Sequence, residues 1–202
     1  MDNAVALVQA YLRTNGYFTV TEYPVFKAAR GGGYSAATDL DVLAFRFPGA
    51  GRPLAGGTDG PAGFAPDPAL GAPGDRPDMI VGEVKEGKAE LNRAARDPRV
   101  LAAVLARFGC SSPAAAQRAA TDLVRSGRTE VGTHEARLVA FGVRVDAAVS
   151  PPYHRVSLGH VTGFLEDYIR EYWGLLHHGQ FKDPAFGFLV TLEKARRSTG
   201  GA

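Results

Sequence analysis

Apolar positions along the chain change period several times, and each change marks an element. Ala4, Leu7, Val8, Tyr11 and Leu12 recur at helical spacing between Asn3 and Asn15, and Gly16 comes next as a stop, so the pattern predicts a first helix. The run Tyr17 to Phe26 is aromatic and β-branched, which suits a strand with Pro24 near its edge or end. A second strand is predicted from about Ala36 to Phe47, placing Asp39 and Asp41 on one face with Leu43 and Phe45, and a third from Met79 to Lys85. Beyond it, Ala89 to Arg96 has a helical look, Asp97-Pro98 restarts a helix that runs to Gly109, and Ser112-Pro113 opens another that Gly127 closes. Ala136 to Val145 alternates as a strand, and Tyr153 to Leu158 is a shorter strand candidate. Val161 to Leu176 carries a helical apolar stripe, and Asp183-Pro184 starts a last helix. Helix, three strands, helices, two strands and helices indicate an α/β chain (α+β in its mixed sheet), with a central mixed sheet flanked by helices rather than a regular βαβ repeat.

Length and apolar content suit a single domain over residues 1–202 with a sizeable core. The stretch from Pro48 to Pro77 is rich in Gly, Pro and Ala and has little periodicity. It reads as an insertion, either an ordered functional flap or a segment mobile in part. A formal charge of +2 excludes binding to nucleic acid by a global basic field and leaves local patches. The single cysteine, Cys110, excludes an intramolecular disulfide and a zinc site built from several thiolates, which points to an intracellular protein. With no signal-peptide pattern and no run long enough to span a bilayer, a cytoplasmic location is expected. The five histidines lack the i, i+4 spacing of a helical metal site and read as surface or capping residues.

Chemistry enters where charge interrupts strands that should be buried. Glu83 and Lys85 leave one face of the third strand about 6–7 Å apart. Alone, such a pair could be an exposed ion pair on an edge strand, worth at most about 1 kcal/mol. Asp41 on the preceding strand changes that balance, because two acidic strands side by side can converge on one point. Ionised groups taken out of water need a partner, and a divalent cation between Asp41 and Glu83 would supply it.

Helix one, Asp41-Val42-Leu43-Ala44, Ile80-Val81-Gly82-Glu83-Val84-Lys85 and the helix after that strand resemble the PD-(D/E)XK nuclease superfamily, in its restriction-endonuclease-like and Holliday-junction-resolvase-like branches. The likeness covers roughly the first half of the chain and rests on short motifs. It implies a restriction-endonuclease-like core, phosphodiester hydrolysis in DNA and dependence on Mg2+ or Mn2+. Asp41, Glu83 and the main-chain carbonyl of Val84 would be the metal ligands, and Lys85 would position the attacking water or offset transition-state charge. The literal Pro77-Asp78 has the wrong parity to share a metal with Glu83, so Asp41 takes the acidic role although Leu40 stands where the family has proline. Many relatives carry an acid on helix one. Here Gln9 is the polar candidate inside that helix, with Glu22 and Asp39 as further auxiliary candidates, each equally readable as an ordinary solvated group. Lys27, Arg30, Lys88, Arg93 and Arg96 are the nucleic-acid-binding candidates, or else charges that keep the surface solvated. Relatives of this kind are often dimers, so a homodimer is a further expectation. A nucleic-acid-binding or interaction module that keeps the fold without catalysis, or a structural protein whose acids form unrelated ion pairs, are the competing readings.

Overall fold

A computed structural model describes residues 2–28, 32–50 and 66–199. Helix α1 (Asn3–Thr14) begins at Asp2, whose carboxylate accepts the Ala4 N–H at 2.8 Å, and buries Val8, Tyr11 and Leu12. Strands β1 (Phe18–Ala28), β2 (Tyr34–Arg46) and β3 (Asp78–Lys88) pair antiparallel in sequence order. Helices α2 (Pro98–Arg107) and α3 (Pro113–Ser126) then carry the chain across the sheet to strands β4 (Arg128–Val131) and β5 (His134–Arg144). A parallel neighbour needs such a crossover, and β5 lies parallel to β3. One edge of β5 is shared: β4 pairs antiparallel with its first half, and β6 (His154–Ser157) pairs parallel with its second. Helices α4 (Leu158–Glu171), α5 (Trp173–Leu176) and α6 (Pro184–Thr199) complete the chain. The sheet is thus six-stranded and mixed, in the order β1-β2-β3-β5-β4 with β6 also on β5, as the apolar pattern led us to expect. None of the described helices is long and apolar enough to cross a membrane.

Two cores lie on the two faces. Val42, Ile80, Val84, Val139 and Phe141 pack against α1, α4 and α6, while Leu43, Met79, Val81, Leu138 and Ala140 pack against α2 and α3. Burial on both faces explains why β3 is continuously buried from Asp78 to Val84.

Four sequence expectations need correction. Ala89 to Arg96 is a loop with turns, because Ala89 N–H still bonds Arg144 O and the Asn92 carboxamide accepts the Ala95 N–H at 2.7 Å, a local bond that competes with helix. The short polar strand β4 gave no apolar signal. It exists because the turn at Gly132, with φ +62°, folds it back on β5. The single helix expected from Val161 to Leu176 begins at Leu158 and is interrupted at Tyr172, where φ is −95° and ψ 21°. The Gly/Pro-rich stretch is structured from residue 66 onward. Asp67 caps a 3-10 turn (Pro68–Leu70), Leu70 is fully buried, and Asp67 accepts from Tyr11 Oη at 2.8 Å and meets His160 Nε2 at 2.6 Å. Residues 51–65 of that stretch lie outside the described residues.

The Ala89–Asp97 loop is held close to the sheet. A Cβ at Gly142 would stand 2.4 Å from Ala89 N, a backbone atom that cannot step aside without moving the loop. Gly142→Ala is therefore expected to destabilise the fold by about 1–3 kcal/mol, read as a lower midpoint of urea unfolding.

Candidate active site

Pairing between β2 and β3 runs from Arg46 opposite Asp78 to Val42 opposite Gly82 and stops there. Asp41 is the next residue, and its side chain replaces the ladder, with Oδ2 accepting the Val84 N–H at 2.7 Å. The N–H and C=O of one strand residue point to the same side, so the Val84 carbonyl is also directed toward the gap that opens beside Asp41. Across β2, the ladder with β1 is irregular at the same level. Glu22 falls between the Thr21–Val42 and Tyr23–Leu40 pairs with φ +53°, the one positive φ of a non-glycine among the described residues. Such a local distortion re-aims the chain next to a functional position.

Glu83 and Lys85 leave β3 on the α2/α3 side, as Asp41 does from β2. Lys85 Nζ lies 3.1 Å from Glu83 Oε2 and 3.7 Å from Asp41 Oδ2, so both carboxylates meet on one ammonium. Their environments differ sharply. The Glu83 side chain is 0% exposed, whereas Asp41 and Lys85 reach solvent. Burial, and then the Asp41 charge, push the Glu83 carboxyl up to about 7, against the opposing pull of Lys85 and of an Asn92 hydrogen bond. Partial burial pulls Lys85 down, but Glu83 and Asp41 outweigh it and hold the ammonium above the ordinary lysine value.

The donor set fits a hard divalent cation in part. Glu83 Oε1 is buried without a hydrogen-bond partner, which is the orphan oxygen a cation would satisfy beside Asp41 and the Val84 carbonyl. Among the described residues, no group of three or more His, Cys, Asp or Glu side chains could hold an ion alone. Main-chain oxygen and water would have to complete the shell.

The auxiliary candidates scatter. Gln9 is buried in α1, whose layer packs on the other face of the sheet, away from the carboxylate pair. Glu22 is next to Asp41 in register but exposed, and Asp39 is exposed opposite Pro24. Asp78 projects to the α1 side as its parity requires. There Arg137 Nε and Nη2 donate to it at 2.8 and 2.6 Å and Tyr17 Oη donates to it as well, which makes it part of a structural network. Lys88, Arg93 and Arg96 are exposed on and just before the Ala89–Asp97 loop, and Arg93 and Arg96 line a groove with Arg99 and Tyr153. Lys27 belongs to β1 opposite Ser35, and Arg30 lies outside the described residues.

Sequence reasoning missed Asn92. Its Nδ2 donates to Glu83 Oε2 at 2.7 Å, while its Oδ1 closes the turn at Ala95, so it fixes both the carboxylate and the loop of arginines. Nothing in the spacing marks it, since it reaches Glu83 through loop geometry alone. Asn92→Ala is expected to push the Glu83 carboxyl further up, because the lost hydrogen bond favoured the ionised form. NMR titration of the Glu83 side chain checks this.

Compared with protein-family models, curated proteins and solved structures, the chain matches none.

Proposed function

We propose that the chain is a Mg2+- or Mn2+-dependent endonuclease that hydrolyses phosphodiester bonds in DNA inside the cell. The observation that carries this reading is the meeting of Asp41 and Glu83 on the Lys85 ammonium, with one buried Glu83 oxygen left unpartnered. Asp41, Glu83 and the Val84 carbonyl would hold the cation, which when bound supplies charge neutralisation at the phosphate and an acidified water. Lys85, still open to solvent, orients the attacking water or offsets charge gathering on the phosphoryl oxygens. Asn92 keeps the Glu83 carboxylate in place through the reaction. The arginines of the Ala89–Asp97 loop contact backbone phosphates on either side of the bond to be cut.

A second reading keeps the nucleic acid and drops the chemistry. It is favoured by the position of Gln9, which leaves the site with two acidic side chains and nothing from α1. Plasmid and four-way-junction substrates incubated with Mg2+ separate the two. The nuclease reading expects cleavage by the wild type that Lys85→Ala loses. The same trace activity in both proteins, with salt-dependent binding intact, would leave the binding module standing.

A further inference from the structure

Phe18, Phe47 and Phe108 are 70%, 57% and 43% exposed, unusual for phenylalanine, and they gather at the end of the sheet away from the carboxylates. Phe18 meets Phe47 edge-on at 6.2 Å, and Phe47 meets Phe45 in the same way at 5.2 Å. Beside them a cavity of about 360 Å³ opens, floored by Leu43 and Met79 and bounded by the Phe108–Cys110 turn that ends α2. That volume is within the range of about 300–1,000 Å³ typical of small-molecule sites.

Among the described residues, no Asp, Glu, Lys or Arg lines the cavity, and its imidazole belongs to His134, at the start of β5. Nε2 of His134 is buried and has no hydrogen-bond partner, with the ring set edge-on to Phe45 at 6.0 Å. A buried polar atom left unbonded is costly, and a ligand atom bonded to it would recover that cost. Burial also holds the imidazole below the ordinary histidine value, against the opposing Asp78 charge, so it is neutral at pH 7. Cys110 Sγ, 3.4 Å from Met79 Sδ, adds a soft, polarisable wall.

We propose that this cavity binds a small uncharged two-ring aromatic molecule whose single hydrogen-bonding group is engaged by His134 Nε2. The walls select the ligand class: phenylalanine rings favour another aromatic ring edge-on or offset, the missing charges exclude an ionised ligand, and one orphan nitrogen calls for one polar group. Met79 precedes Glu83 by four residues of β3, about 13 Å along an extended strand, so the site does not depend on the nuclease reading.

The probe is 1-naphthol, whose hydroxyl both donates and accepts and so suits either tautomer of His134, with naphthalene as its apolar counterpart. Titration of the full chain monitored by NMR is expected to show one saturable site that prefers 1-naphthol by roughly tenfold, the worth of one hydrogen bond. His134→Phe keeps a ring in place and is expected to abolish that preference. Val20→Trp, at the exposed rim of the cavity, is expected to block both compounds while leaving the core intact. The proposal is overturned if the wild type shows no saturable binding, if His134→Phe retains the tenfold preference, or if Val20→Trp binds as the wild type does.

Discussion

Glu83→Gln is expected to lower Mg2+-dependent DNA cleavage by about 10²–10³-fold, the scale on which removal of one electrostatic group of an active site acts. The same substitution should stabilise the cation-free protein above pH 7. Glutamine keeps the shape of the side chain and can still accept from Asn92, but it cannot ionise. In the wild type, burial and the Asp41 charge raise the Glu83 carboxyl from 4.5 to about 7. A raised folded-state value means the stabilisation is complete below pH 4.5 and is lost as pH rises through 7. The loss by pH 8 is on the order of 3 kcal/mol. Urea unfolding at pH 5 and pH 8 in the presence of a chelator checks this. The wild type should weaken across that interval and Glu83→Gln should stay nearly flat, whereas parallel behaviour would mean that Glu83 is not held as described.

Arg137→Met is expected to destabilise the fold by about 3–5 kcal/mol while leaving the chemistry of the folded fraction unchanged. Asp78 is 0% exposed and receives two guanidinium hydrogen bonds. A third nitrogen of Arg137 donates to Leu70 O at 2.9 Å, tying the end of the Gly/Pro-rich stretch to the sheet. Burial, together with the Asp78 charge and hydrogen bond, holds the Tyr17 phenol far above its ordinary value, so it remains a donor to the same carboxylate at any pH where the protein folds. Losing the guanidinium strands a buried anion, and that cost exceeds the net worth of the pair. The double variant Asp78→Leu with Arg137→Met should therefore recover much of the loss in urea unfolding. Because Asp78 and Glu83 leave opposite faces of β3, cleavage per folded molecule should not change in either variant.

The sheet was legible because its strands are long and apolar, and parity alone placed Asp78 and Glu83 on opposite faces and Glu83 with Lys85 on one. The site's outline was legible for the same reason: alternation decides where a strand side chain points once its neighbours are known. What escaped was fixed by contacts remote in sequence. Asn92 reaches Glu83 from a loop whose alanines look helical, and the side-chain bonds that hold the loop cannot be read from period. Asp67 was hidden in a stretch of Gly and Pro, although Asp67-Pro68 carries the cap-and-proline signature of a turn, and its partners Tyr11 and His160 come from α1 and α4. Strand β4 is too short and polar to signal itself, and exists only because β5 offers a free edge.

Calorimetric titration of Mn2+ into the wild type, Asp41→Asn and Glu83→Gln at pH 8 bears most directly on whether the two carboxylates serve one cation. Binding at one site in the wild type, lost in both variants, is the predicted result. No binding to the wild type, or binding that survives unchanged in either variant, would contradict it.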